Sequence, residues 1–155
     1  MKPISLALIV LFAFFYTPSE AQEKTKLELT DLFNMEYVSD PQISPDGTQV
    51  VFARNFKDIM TDRDYSNLWI SNIDGSRIRQ LTQGNQRDYA PRWSNDGKKL
   101  AFLSNQDDEK VKLYLMYPDT RETIVLTNTS TPPGAVAWSP DDSHLAFTQF
   151  VPQAK

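Results

Sequence analysis

One stretch, Pro41-Gln42-Ile43-Ser44-Pro45-Asp46-Gly47-Thr48-Gln49-Val50-Val51-Phe52, occurs three times in this chain and constrains what the chain can fold into. It returns as Pro91-Arg92-Trp93-Ser94-Asn95-Asp96-Gly97-Lys98-Lys99-Leu100-Ala101-Phe102, and again as Val136-Ala137-Trp138-Ser139-Pro140-Asp141-Asp142-Ser143-His144-Leu145-Ala146-Phe147. Turn chemistry makes each copy a β-hairpin. Ser44 takes the first position of a type I turn, Pro45 supplies the fixed φ of the second, Asp46 fills the third, and Gly47 stands where φ > 0 is often needed. A β-prone apolar run ending in phenylalanine follows each turn. Asn95 replaces proline in the second copy and Asp142 replaces glycine in the third. Asn and Asp adopt left-handed geometry more readily than most residues, so the hairpin reading survives both changes.

The remainder of the unit repeats as well. Asn67-Leu68-Trp69-Ile70-Ser71 with Arg79-Gln80-Leu81-Thr82 matches Lys112-Leu113-Tyr114-Leu115-Met116 with Thr123-Ile124-Val125-Leu126-Thr127. Trp69 to Tyr114, Leu81 to Leu126 and Trp93 to Trp138 are all 45 residues apart, and Ile43 precedes Trp93 by 50. Asp74-Gly75 is a turn signal answered by Pro118-Asp119-Thr120. Each unit therefore contains four short strands, and a period of about 40 to 50 residues with four strands per unit is the pattern of β-propeller blades. A blade has two apolar faces and covers them only with neighbouring blades, which is the physical reason for repetition. The expected fold is all-β: an incomplete propeller over residues 41–155, two full blades and the opening hairpin of a third. Closed propellers have about 4 to 8 blades, so a longer protein is the simplest way to complete this ring.

The N-terminus differs in kind. Lys2 precedes an apolar run from Ile4 to Tyr16, and Ser19 and Ala21 provide the small residues that a signal peptidase reads. The run is shorter than the roughly 17 to 25 residues that cross a bilayer as a helix. Residues 1–21 are expected to be a signal peptide, which places the mature protein in the periplasm or outside the cell with no membrane contact after cleavage. Residues 22–40 form a lead-in in which Thr30 caps a short helix, with Leu32, Phe33 and Met35 packing on the first repeat. The 155 residues include no cysteine, which excludes zinc ribbons, redox motifs and disulfides. A net charge of -4 without a basic block argues against nucleic acid as a partner.

The Ser-Pro-Asp-Gly turn, the following Leu-Ala-Phe and the terminal Gln-Leu-Thr resemble the blade motif shared by TolB proteins and by the propellers of prolyl oligopeptidase family serine peptidases, the acylaminoacyl and dipeptidyl peptidase-like members included. The resemblance covers residues 29–150. Leu29-Thr30-Asp31-Leu32-Phe33 followed by Val38-Ser39-Asp40-Pro41-Gln42 is similar to the lead-in of the exported peptidases, and too few residues precede Pro41 for the separate domain of TolB. The peptidase resemblance implies a hydrolase domain C-terminal to the propeller, with the propeller gating peptide access. A TolB-like partner-binding propeller and a truncated, non-functional product are the alternatives. The family's catalytic serine lies in a Gly-x-Ser-x-Gly elbow that this sequence lacks, so no catalytic residue is carried over. No cofactor or metal site is expected either.

The remaining chemical candidates have simpler readings. His144, the only histidine, lies near Ser139, Asp141 and Asp142, but Ser139 matches the turn residues Ser44 and Ser94, and His144 matches Gln49 and Lys99. Asp107-Asp108-Glu109 lacks the alternating acidic positions and the central glycine of a calcium loop. Asn128-Thr129-Ser130 fits a glycosylation acceptor and reads as loop. Residues 54–67, with Lys57, Asp58, Asp62, Arg63, Asp64 and Tyr65, form a loop longer than its counterpart, long enough to reach a ligand or another domain. Trp93, Trp138, Trp69 and Tyr114 recur at equivalent positions, as blade-to-blade packing requires.

Overall fold

The computed structural model describes residues 26–107 and 110–152. The apolar run of residues 4–16, Ser19 and Ala21, and the acidic residues Asp108 and Glu109 lie outside the described residues. A four-residue helix, α1 (Asp31–Asn34), is followed by ten strands. These are β1 (Tyr37–Ile43), β2 (Gln49–Asp58), β3 (Arg63–Asn72), β4 (Arg79–Gln80), β5 (Asp88–Trp93), β6 (Leu100–Ser104), β7 (Lys112–Tyr117), β8 (Glu122–Val125), β9 (Pro133–Trp138) and β10 (Leu145–Gln149). They pair as two four-stranded antiparallel sheets, β1-β2-β3-β4 and β5-β6-β7-β8, and one hairpin, β9-β10. The fold is a partial β-propeller: two blades and the opening hairpin of a third.

The three turns share one geometry. The backbone N–H of the turn serine donates to the strand residue five positions on, Ser44 to Gln49, Ser94 to Lys99 and Ser139 to His144, at 2.8, 2.9 and 2.9 Å. Each serine hydroxyl donates to the turn aspartate at 2.6 Å and accepts that strand residue's N–H at 2.9 Å. The fourth position has φ of 72° at Gly47, 71° at Gly97 and 57° at Asp142, so the aspartate adopts the left-handed conformation the motif demands.

Leu-Thr at the end of the unit has a physical role in each blade. Leu81 N–H donates to Leu68 O and Leu126 N–H to Leu113 O, both at 2.8 Å. In return Leu68 and Leu113 donate to the hydroxyls of Thr82 and Thr127, both at 2.9 Å. The threonine thereby prolongs the outer strand pair by one bond where the ladder ends. One repeated irregularity carries no sequence signal: β1 and β5 each shift register, between Ser39 and Gln42 and between Tyr89 and Arg92, around Asp40 at φ 47° and Ala90 at φ 53°. These are bulges that bend the first strand of a blade.

Blade faces form the core. Val51, Ala53, Leu68, Ile70 and Leu81 of the first blade pack on Leu100, Phe102, Tyr114 and Met116 of the second, with Trp93 at the margin. Ala101, Leu103 and Leu113 on the opposite face of the second blade pack on Val136 of the third, beside Trp138 and Leu145. Residues 100–104 are consequently buried on both faces, which explains their unbroken apolar run, Leu100 to Leu103. The repeat-equivalent Phe102 and Phe147 differ: the first is fully buried, the second 36% exposed on a hairpin without a further strand beside it among the described residues.

Three sequence expectations need correction. Thr30 makes no side-chain cap; Asp31 instead accepts the N–H of Glu28 at 2.8 Å and closes the turn ahead of α1. Of Leu32, Phe33 and Met35 only Phe33 is half-buried, with Leu32 and Met35 exposed, because a single helical turn presents one side to β2. Residues 54–67 are not a loop. Residues 54–58 belong to β2 and 63–67 to β3, joined by a turn at 59–62; the two strands remain paired in continuous register from Gln49↔Asn72 to Asp58↔Arg63, and project as an arm beyond the equivalent β6-β7 hairpin.

Candidate functional site

The arm forms one side of a surface recess. Its far end is held by the Phe56 and Tyr65 rings, 5.8 Å between centroids, and by Lys57 donating to Asp64 at 2.6 Å. That carboxylate raises the Lys57 pKa above its ordinary value. Asp58 accepts the N–H of Met60 at 2.8 Å, and Asp62 at φ 51° completes the turn. Residues 62–65 form one wall of a cleft of about 690 Å³, residues 85–87 its floor and residues 105–107 the other wall. The floor is joined to both walls: Ser66 N–H donates to Gln86 O at 3.0 Å, and Arg87 N–H donates to Asn105 Oδ1 at 2.7 Å.

Charge in the cleft is mixed. Asp62, Asp64 and Asp107 face Arg63 and Arg87 across a lining rich in Asn and Gln. Asp107 accepts the Tyr114 hydroxyl at 2.7 Å and lies 3.6 Å from Lys112 Nζ. Arg87 lies over the Tyr89 ring at 6.0 Å. Such a lining matches a polar ligand that carries donors and acceptors and charge of both signs. Among the described residues no group of three His, Cys, Asp or Glu is placed to hold a metal ion.

Behind the floor lies a carboxylate that sequence reasoning missed. Asp88 is fully buried, accepts from Ser104 Oγ at 2.5 Å and from Gln86 Nε2 at 3.1 Å, and has further side-chain bonds with Thr82 and Asn67. Its backbone carbonyl accepts the Ser66 hydroxyl at 2.8 Å. Burial pushes its pKa up and the hydrogen bonds oppose that. The one available signal was an acidic residue at the head of a strand copy, where the third repeat has Pro133.

The other candidates separate cleanly. Ser139 Oγ is occupied by Asp141 and by the N–H of His144, while the exposed His144 ring points Nδ1 at Ser143 Oγ, 2.6 Å away. Ser143 in turn donates to Asp141 at 2.7 Å, so the carboxylate sits on the serine's side of this chain. A catalytic triad requires the carboxylate on the imidazole's far nitrogen and an oxyanion hole beside the nucleophile. Trp93 and Trp138 are seam residues, their indole N–H groups donating to Gln42 O at 3.2 Å and Arg92 O at 3.0 Å of the preceding blade. Tyr114 is buried and stacked on Phe102 at 5.5 Å. Trp69 differs from its counterpart: it lies half-buried on the outer face of the first blade beneath Arg54, 4.9 Å from the ring centroid, and Glu36 pairs with that arginine.

The blade sequence and its pairing coincide with one family. Residues 14–131 match the family described as Dipeptidyl peptidase IV (DPP IV) N-terminal region. The chain belongs to that family. An uncharacterized peptidase of Bacillus subtilis (strain 168), YuxL, is 31% identical over 125 residues, 81% of this chain and 19% of the relative. An acylaminoacyl peptidase solved with Z-Gly-Gly-Phe-chloromethyl ketone superposes with a TM-score of 0.65 at 17% identity, over 76% of this chain and 18% of that one. TolB from Acinetobacter baumannii superposes with a TM-score of 0.60 at 21% identity, over 74% of this chain and 27% of TolB. At those identities the two structures speak for the propeller fold alone. The chain spans about a fifth of the length of the curated relatives it matches.

Proposed function

We propose that this chain is the N-terminal propeller segment of an exported serine peptidase, where it gates peptide access to a C-terminal hydrolase domain. Membership of the dipeptidyl peptidase IV N-terminal region family over residues 14–131 carries the reading. The span of about a fifth of the curated relatives supports it, because those relatives hold ample further length for more blades and a hydrolase domain. The mixed-charge cleft beside the arm supports a role in receiving peptide rather than cutting it. Residues 1–21 act as the export signal, residues 22–40 as the lead-in and residues 41–155 as the incomplete propeller.

A TolB-like partner-binding propeller is the second reading, supported by a TolB of Alcanivorax borkumensis that is 35% identical over 81 residues, 52% of this chain. The coding sequence beyond Lys155 separates the two. Further blades followed by Gly-x-Ser-x-Gly, and a serine-directed fluorophosphonate probe labelling the complete product, support the peptidase. Blades without that elbow support the binding protein, and a stop codon directly after Lys155 overturns both. Export is tested on the same product: a mature N-terminus at Gln22 is expected by mass spectrometry, and one retained at Met1 overturns it.

A further inference from the structure

Asp88 occupies the seam between the first two blades. Ser104 approaches it from the second blade, Asn67 from the first, and Thr82 and Gln86 from the segment linking them. Among the described residues, the groups bonded to the carboxyl are all neutral. The charged and titratable side chains of the packed elements are directed elsewhere: Arg63, Asp64 and Tyr65 of the arm line the cleft with Asp107, Arg87 lies over Tyr89, and Lys112 lies near Asp107. Two of the seam's own bonds converge on the same place. Thr82, which accepts the Leu68 N–H, also bonds Asp88, and Ser66 binds the Asp88 carbonyl. At the next seam Thr127 accepts the Leu113 N–H at the same distance, but Pro133 stands in the position of Asp88.

We propose that Asp88 is a proton-operated pin: gain or loss of its proton changes how tightly the first and second blades are held together, and the second and third blades have no such control. Ionised, the carboxylate is satisfied by hydroxyl and amide donors but, among the described residues, is paired with no cation to offset its removal from water. Protonated, it loses that cost, and the Ser104 hydroxyl, which also accepts the Gln106 N–H at 3.1 Å, turns to accept the new O–H. Burial makes the folded state hold this proton to higher pH than the unfolded chain. The native state then binds more protons than the unfolded one, so the seam strengthens as pH falls through the folded pKa toward the ordinary value of 3.8. Gln86 both bonds Asp88 and lines the cleft, so the change reaches the cleft floor.

Hydrogen exchange read by mass spectrometry on the full chain tests the pin with an internal control. Leu68 and Leu113 make the same amide bond to a threonine hydroxyl, so the intrinsic pH dependence of exchange cancels in the ratio of their protection. The expected ratio of Leu68 to Leu113 protection rises as pH is lowered from about 7.5 to about 4.5, and stays constant in Asp88→Asn. A constant ratio in the unaltered chain, or a pH-dependent ratio that persists in Asp88→Asn, overturns the proposal. Where Asp88→Asn fails to fold, Ser104→Ala decides. It removes a bond that holds the pKa down, so the pH at which the ratio changes must move upward, and an unmoved profile overturns the pin.

Discussion

Asn95 and Asp142, the two residues that break the turn motif, are bonded to each other. The Asn95 backbone N–H and side-chain amide both donate to Asp142 Oδ1 at 2.7 Å, the amide also reaches Ser139 O at 2.8 Å, and Asp96 N–H donates to Asp142 Oδ2 at 2.8 Å. Proline at position 95 has no N–H to give, and glycine at 142 has no carboxylate to receive it. Each departure is therefore tolerated locally and required across the seam, where it ties the second turn to the third. At the first seam the equivalent positions are Pro45 and Gly97, which lack these donor and acceptor groups; a Cβ added at Gly97 would lie 3.6 Å from Pro45 Cδ.

Asp142→Gly restores the motif and relieves the left-handed aspartate, yet it is expected to destabilise the third hairpin. The expected coupling between Asn95→Ala and Asp142→Gly in a double-mutant cycle is about 1 kcal/mol. Urea unfolding measures it, and additivity of the two changes contradicts the link.

Trp138→Phe keeps an aromatic ring in the second seam but deletes the N–H that reaches Arg92 O at 3.0 Å. The expected loss is about 1 kcal/mol, and the equivalent change Trp93→Phe has a similar effect through Gln42 O. The first copy has Ile43 at this position, which offers no donor and is exposed. Equal denaturation midpoints for Trp138→Phe and the parent chain contradict the role of the indole N–H.

The turn aspartates give the chain an acid limit. The hydroxyls of Ser44, Ser94 and Ser139, first among several hydrogen bonds, hold the pKa of Asp46, Asp96 and Asp141 below the ordinary 3.8, and that of Asp141 at about 2. A depressed folded pKa contributes stability above the unfolded value that is lost as pH falls through the folded one. For Asp141 the window runs from 3.8 down to about 2. Asp141→Asn is expected to flatten the acid unfolding curve in that window, as followed by circular dichroism, and an unchanged curve contradicts the assignment. This dependence is opposite in sign to that of Asp88, and it lies at lower pH.

The chain by itself is expected to self-associate. Phe147 is 36% exposed and Phe150 is 74% exposed, while the repeat-equivalent Phe102 is fully buried between blades. Uncovered blade faces of a few hundred Å², at roughly 25 cal/mol per Å², withhold several kcal/mol from a fold whose net stability is of that order. Size-exclusion chromatography of residues 22–155 checks this. A monomer that unfolds in one cooperative step at high denaturant shows instead that the fold is self-sufficient.

What the sequence by itself determined was local or periodic. Ser-Pro-Asp-Gly specifies a turn within four residues, and the 45-residue spacing of Trp69 and Tyr114 assigns equivalent strands before any contact is known. The same spacing separates the pairs Trp69↔Gln80 and Tyr114↔Val125 in the two sheets. Tertiary structure decided whatever depended on a neighbour. Residues 54–67 lack a simple alternating pattern, and only pairing across β2 and β3 makes them an arm rather than a loop. Asp88 is unremarkable in one dimension, and it becomes a buried carboxyl because Ser104, 16 residues away, and the linking segment close around it. Asn95 and Asp142 read separately as two tolerated departures, since a hydrogen bond across 47 residues leaves no periodic trace in either repeat. Turn geometry is encoded in the residues that form the turn, whereas the seams are encoded in pairs that meet only when one blade packs on the next.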